Sequence, residues 1–226
     1  MNRIILKIAA GIFIFLVSSC QTEKISNNDE KVVQHVRTKY GAAYTRGGNT
    51  PIGPQCPWGS ISPGPDTEAR ALMSDGYDDD LLIKGFSQIH VDAGGPGHYG
   101  NFLLSPQTGL EVGSKDHYSD KANEVALCGL YGVDLTRYNI RTEITPTHNA
   151  AIYRFIYPES DESSLLIDLS HTIAGDVNKA VGMLLDGELN ISEDGKTLNG
   201  WGSYRGGWNS EKYTLYFSAR LNKQAS

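Results

Sequence analysis

No sustained helical repeat runs anywhere along the 226 residues; without apolar side chains recurring over several turns, a helical architecture has no support. Lysine and arginine never cluster. The chain carries 20 basic against 26 acidic residues and a net charge of −6, which argues against a nucleic-acid-binding surface. Cysteine is scarce, with only Cys20, Cys56 and Cys128; there is no CxxC and no cysteine pair at metal-binding spacing. A Gly-x-Ser-x-Gly elbow and an HExxH zinc helix are both absent. The six histidines, at positions 35, 90, 98, 117, 148 and 171, are scattered. Long apolar runs are missing too: Ile8 to Val17 has about half the length that a membrane span needs.

That short run has another reading. Arg3 and Lys7 precede it, and Leu16-Val17-Ser18-Ser19-Cys20 ends it, so residues 1–19 read as a leader. Small residues before a cysteine resemble a bacterial lipobox; the alternative reading is an ordinary signal peptide. The resemblance implies cleavage before Cys20, acylation of Cys20, and a lipoprotein anchored to the membrane of the bacterial cell envelope. Residues 20–31 are polar and read as a flexible tether, with one folded domain over 32–226. Removing Arg3 and Lys7 takes the net charge from −6 to −8. An exported chain permits a disulfide between Cys56 and Cys128, although sequence does not show that the two meet.

Val32 to Tyr44 reads as either a short helix or a strand. Gly47 to Thr67 holds five prolines in 21 residues, which excludes a helix there. Trp58 and Ile61 still give it something to bury. The acidic run Asp78-Asp79-Asp80 reads as a solvated face more readily than as a calcium site. A polar connection around Lys115 to Tyr118 follows. Strands are then expected at Gly132–Leu135, Ile140–Ile144, Ala151–Tyr157, Leu165–Leu169, Met183–Ile191, Leu198–Tyr204 and Tyr213–Leu221, with a hairpin turn at Asp194-Gly195. Many short strands with regular turns mean a sandwich or barrel.

The stretch from Gly85 to Gly109 organises this pattern. Phe86 to Val91 alternates like a half-buried strand, and Phe102 to Leu104 returns to the core. Between them lie Gly94, Gly95, Pro96, Gly97 and Gly100 with Asp92, His98, Tyr99 and Asn101. Glycine allows close backbone approach, so this is either a binding loop or a long hairpin connection. His90, at the mouth of the loop, can be a ligand contact or a structural histidine. Trp201, Tyr204, Arg205 and Trp208 among glycines offer either sugar-stacking rings or cover for a core edge. Glu143 and Asp168 are distant carboxylates, and an acid–base pair needs a measured separation.

Four motifs, in order, resemble the N-terminal domain of glycoside hydrolase family 92, the exo-acting α-mannosidases. They are Gly48-Asn49-Thr50-Pro51-Ile52-Gly53-Pro54-Gln55-Cys56-Pro57-Trp58-Gly59 with Pro65-Asp66-Thr67; Ile83-Lys84-Gly85-Phe86-Ser87-Gln88-Ile89-His90; Gly100-Asn101-Phe102-Leu103-Leu104-Ser105-Pro106; and the late strand Lys212 to Arg220. Gln88 replaces a histidine of the family pattern, and Val91-Asp92-Ala93-Gly94 replaces its Leu-Ser-Gly.

The resemblance implies an all-β fold, a large antiparallel β-sandwich of the galactose-mutarotase-like "supersandwich" type, with its C-terminal edge truncated. It implies binding of mannose-containing glycans, with Trp58, His90, Asp92, Gly94, Gly95, His98 and Asn101 as candidate contacts. The family's acid and base lie on a helical-barrel domain that would follow. No catalytic residue, metal ligand or cofactor is therefore assigned to this chain, although calcium is implied for full-length members. Three roles are consistent with this: a carbohydrate-associated lipoprotein without activity of its own, half of an α-mannosidase completed by a separate helical chain, or a structural surface lipoprotein.

Overall fold

The computed structural model describes residues 3–7, 35–36, 38–42, 50–68, 76–91, 99–113, 117–173, 182–207 and 209–225. Among these residues there is no helix. The strands are β1 (Arg3–Lys7), β2 (Gly64–Thr67), β3 (Ile83–Ser87), β4 (Leu103–Thr108), β5 (Lys121–Leu127), β6 (Leu130–Leu135), β7 (Ile140–Pro146), β8 (Ala151–Ile156), β9 (Ser163–Asp168), β10 (Gly182–Ile191), β11 (Thr197–Gly206) and β12 (Asn209–Arg220). They form a five-stranded sheet in the order β1-β9-β4-β3-β2, a three-stranded sheet β10-β11-β12, and a four-stranded sheet β5-β6-β7-β8. Every pairing between strands is antiparallel. The fold is the all-β, sandwich-like one expected.

Alternation builds the four-stranded sheet. In β7, Ile140, Thr142 and Ile144 are buried, while Arg141 and Glu143 lie outward and pair with Asp134 and Arg154. The inward residues join Tyr131, Val133 and Leu135 of β6 against Ile83 and Phe86 of β3, forming one core. The second core sets Leu165 and Ile167 of β9 and Phe102 against Leu189, Leu198 and Tyr204 of the three-stranded sheet. Both β3 and β9 are buried along their whole length, as strands covered on two faces are. The Asp194-Gly195 turn closes the β10–β11 hairpin, with Gly195 at φ +64°.

Some expectations shift. β3 stops at Ser87, short of Val91, because Ile89 makes only isolated bridges, to Ser62 and Gly100. β2 lies inside the Gly/Pro-rich segment, and β5 lies after the polar connection, ahead of the strand expected from Gly132. Residues 38–42 form turns. Tyr204 is core, whereas Trp201 is half-buried with its indole N–H directed at Glu188. β1 occupies the basic start of the expected leader and pairs with β9, so cleavage before Cys20 would leave the β9 edge without this partner.

Candidate functional site

Three segments far apart in sequence converge on Asp66. A register shift between Asp66 and Thr67 in the β2–β3 ladder marks a bulge, the kind of irregularity that re-aims a side chain. Asp66 Oδ1 lies 2.9 Å from His90 Nε2, and Oδ2 lies 3.0 Å from His171 Nε2. All three residues are buried. The other nitrogen of His90, Nδ1, lies 2.7 Å from the Ser62 carbonyl oxygen. A carbonyl can only accept, and so can an ionised carboxylate. With Asp66 ionised, both nitrogens of His90 face acceptors and act as donors. His171 needs one N–H, at Nε2; its Nδ1 has no partner among the described residues. Burial on its own would raise the Asp66 pKa. Coulombic attraction and hydrogen bonding from the two imidazoles outweigh burial and hold the carboxyl well below the usual carboxylate range.

Glycines make room for this triad. A Cβ on Gly76 would come 2.4 Å from Asp66 Oδ1, and one on Gly100 would come 3.1 Å from His171 Nε2. Gly100 also sits in an unusual backbone run: Tyr99, Gly100, Asn101 and Phe102 have φ of 67°, 92°, 47° and 55°. Consecutive left-handed residues are costly for side chains other than glycine and asparagine. The run is clamped from two sides. Gly100 N–H donates to Ile89 O at 2.8 Å, and Ile173 N–H donates to Tyr99 O at 2.9 Å.

Asn101 is fully buried beside the phenols of Tyr204 and Tyr213. Neither end of its amide makes a well-formed hydrogen bond among the described residues. Around it the rings of Tyr99, Tyr213 and Tyr204 follow one another at 5.9 and 5.6 Å.

Trp58 is different. Gly59 N–H donates to Cys56 O at 2.9 Å, closing a tight turn with Pro57 and Trp58 at its centre. Trp58 has φ +61°, the conformation that the third position of a type II turn reserves for glycine. Its side chain is 99% exposed. The flanking backbone is tied down: Gln55 N–H donates to Cys128 O at 3.0 Å, Ser60 N–H to His148 O at 2.6 Å, and Ser62 N–H to Gln88 O at 3.0 Å. The indole thus stands exposed at the centre of a strained turn whose flanking backbone is hydrogen-bonded on both sides.

Of the sequence candidates, then, Trp58 is at the surface, while His90 and Asn101 lie inside. Asp92, Gly94, Gly95 and His98 lie outside the described residues. The acidic run is engaged internally: Asp78 Oδ1 accepts the Asp80 N–H, and Asp79 accepts the Tyr77 hydroxyl at 2.7 Å. Among the described residues no group of three or more His, Cys, Asp or Glu side chains is arranged to hold a metal ion. The Asp66 triad does not fit calcium, because both carboxylate oxygens already accept imidazole N–H groups.

Sequence reasoning missed three residues. Asp66 and His171 become partners only through the fold. Glu124, at the β5 bulge, accepts the Tyr131 hydroxyl at 2.6 Å, shares the Tyr77 hydroxyl with Asp79 at 2.9 Å, and pairs with Lys39. An acid inside an otherwise apolar or glycine-rich buried stretch is the signal that Asp66 offered; Glu124 offered none.

The profile of the glycosyl hydrolase family 92 N-terminal domain matches residues 35–226. Among solved structures, the family GH92 α-mannosidase BT3965 from Bacteroides thetaiotaomicron in complex with mannoimidazole matches with a TM-score of 0.69 and 31% identity, over 78% of this chain and 23% of that one. A second structure of that α-mannosidase matches with a TM-score of 0.69 and 30% identity, over 77% of this chain and 24% of that one. No curated protein matches. The chain thus spans about a quarter of the length of the matched structures, and by the match over residues 35–226 it belongs to the glycosyl hydrolase family 92 N-terminal domain family.

Proposed function

We propose that this chain is the carbohydrate-associated part of an α-mannosidase-like assembly, carried on a lipid-anchored protein of the bacterial envelope, and that it has no glycosidase activity alone. The observation that carries the proposal is Trp58, a fully exposed indole held in a strained turn. An aromatic face of this kind stacks on the apolar face of a sugar ring. The Asp66 triad lies behind it as a brace, since the Ser62 carbonyl that accepts from His90 is four residues along the same segment. The matched relatives are α-mannosidases several times longer than the aligned region. The second reading, which follows from the family resemblance, is completion by a helical catalytic chain. Calcium, implied for full-length members, would then come with that chain.

Titration of isotope-labelled protein with mannose and α-mannobiose, followed by NMR, tests the proposal. Shifts centred on the Trp58 indole and residues 55–62 support it. Binding should be weak, with a Kd near 1 mM corresponding to about −4 kcal/mol. No shift at tens of millimolar sugar would leave a structural lipoprotein.

A further inference from the structure

Besides Cys20 the sequence has two thiols, and a backbone hydrogen bond from Gln55 to Cys128 joins the two segments that carry them. Leu127 pairs with Leu130, so Cys128 and Gly129 form the turn of the β5–β6 hairpin. Cys128 is exposed there, and the space beside Gly129 is open, with nothing within 4 Å of an added Cβ. Cys56 is half-buried and opens the turn that carries Trp58. Both are free thiols in this structure. The Gln55 N–H donates to the Cys128 carbonyl at 3.0 Å, which holds the residue next to Cys56 in bonding contact with Cys128. Bridging needs Cα atoms about 4.4–6.8 Å apart. An exposed thiol at a hairpin tip adds nothing to a core, so packing does not explain the cysteine at position 128.

We propose that Cys56 and Cys128 form a disulfide that staples the Trp58 turn to the β5–β6 hairpin. In the cell the inference rests on the exported location read from the leader, because disulfides persist outside the reducing cytosol. The oxidant is a thiol–disulfide exchange protein. The thiolate of the exposed Cys128 attacks the oxidant's disulfide and forms a mixed disulfide. The Cys56 thiolate then displaces the oxidant's sulfur. The two cysteines lose two protons and two electrons, and the oxidant leaves as a dithiol. The bond closes a loop of about 70 residues, a length at which disulfides stabilise substantially. It also removes slack from the segment that presents Trp58.

Equilibrating the purified full chain with oxidised glutathione, alkylating free thiols and mapping non-reduced peptides tests the geometry. The expected result is an intramolecular Cys56–Cys128 peptide lighter by two hydrogens. Reduction should then lower Tm by about 5–15 °C in the wild type and leave the Cys56→Ser/Cys128→Ser double variant unmoved. Full alkylation of both residues, or cross-links only between molecules, overturns the staple. Alkylating intact host cells before lysis tests location separately. Protein that oxidises in the tube yet is recovered from cells with both thiols alkylated overturns the exported reading, and with it the staple in the cell.

Discussion

The carbonyl of Ser62 accepts a hydrogen bond from Nδ1 of His90 at 2.7 Å, joining the surface segment that carries Trp58 to the buried Asp66 triad. Through His90 and His171, Asp66 ties β2 to the residues after β3 and after β9. The Gly/Pro-rich segment has few apolar side chains to anchor it. This polar hub supplies the fixed geometry that core packing would otherwise give.

Asp66→Asn should therefore be among the most damaging substitutions of its size. It preserves shape but removes the carboxylate charge that faces the His90 and His171 rings. Breaking one side of a buried pair costs about 3–5 kcal/mol. Urea unfolding should show the midpoint fall by that equivalent, with the slope unchanged. A loss below 1 kcal/mol would mean that the hub is not structural.

Acid should act through the same carboxyl. Its pKa is lower in the folded chain than in the unfolded one, so its contribution is present above the ordinary carboxylate value of about 3.9 and is lost as pH falls through the lower folded value. Urea midpoints measured from pH 6 down to pH 2 should fall more steeply for wild type than for Asp66→Asn. Parallel curves would rule out Asp66 as the source of the acid sensitivity.

The leader makes its own prediction. On the proposed lipid anchor, Cys20→Ser should move the protein from the membrane to the soluble fraction, because stable anchoring would depend on acyl chains carried by that residue. Wild-type protein without lipid by mass spectrometry, together with a mutant that still pellets with membranes, would reject the anchor.

Much of this fold was legible where side chains alternate. β7 shows why: Ile140 and Ile144 point in, while Arg141 and Glu143 point out, a period of two that few other structures satisfy. β2 was hidden because Gly64, Pro65 and Asp66 disfavour strands and only Thr67 favours one, and the sheet imposes their conformation through β3. β5 was hidden by its bulge: Asn123 at φ +47° interrupts the alternation and turns Glu124 toward Tyr77 and Tyr131. The motif resemblance pointed to the segments that hold Trp58, Asp66, His90 and Asn101. It did not distinguish exposed from buried, because that depends on which chains cover them. The pairing of Asp66 with His171 spans 105 positions and leaves no local trace in the sequence.

Trp58 offers the sharpest test of function against stability. A left-handed φ costs a bulky residue about 1–2 kcal/mol that glycine does not incur. Its side chain, fully exposed, returns no burial energy. Trp58→Gly should therefore stabilise the chain by about 1 kcal/mol; the greater freedom of glycine in the unfolded state offsets part of the gain. Trp58→Ala removes the ring but keeps the strain, so it should leave stability within about 0.5 kcal/mol of wild type. Both variants should lose the sugar-dependent shifts at residues 55–62. A residue that destabilises its own turn while serving a site shows this combination. If Trp58→Gly were destabilising by more than 1 kcal/mol, the indole would be packing against something, and the exposed-platform reading would fail whatever the sugar titration showed.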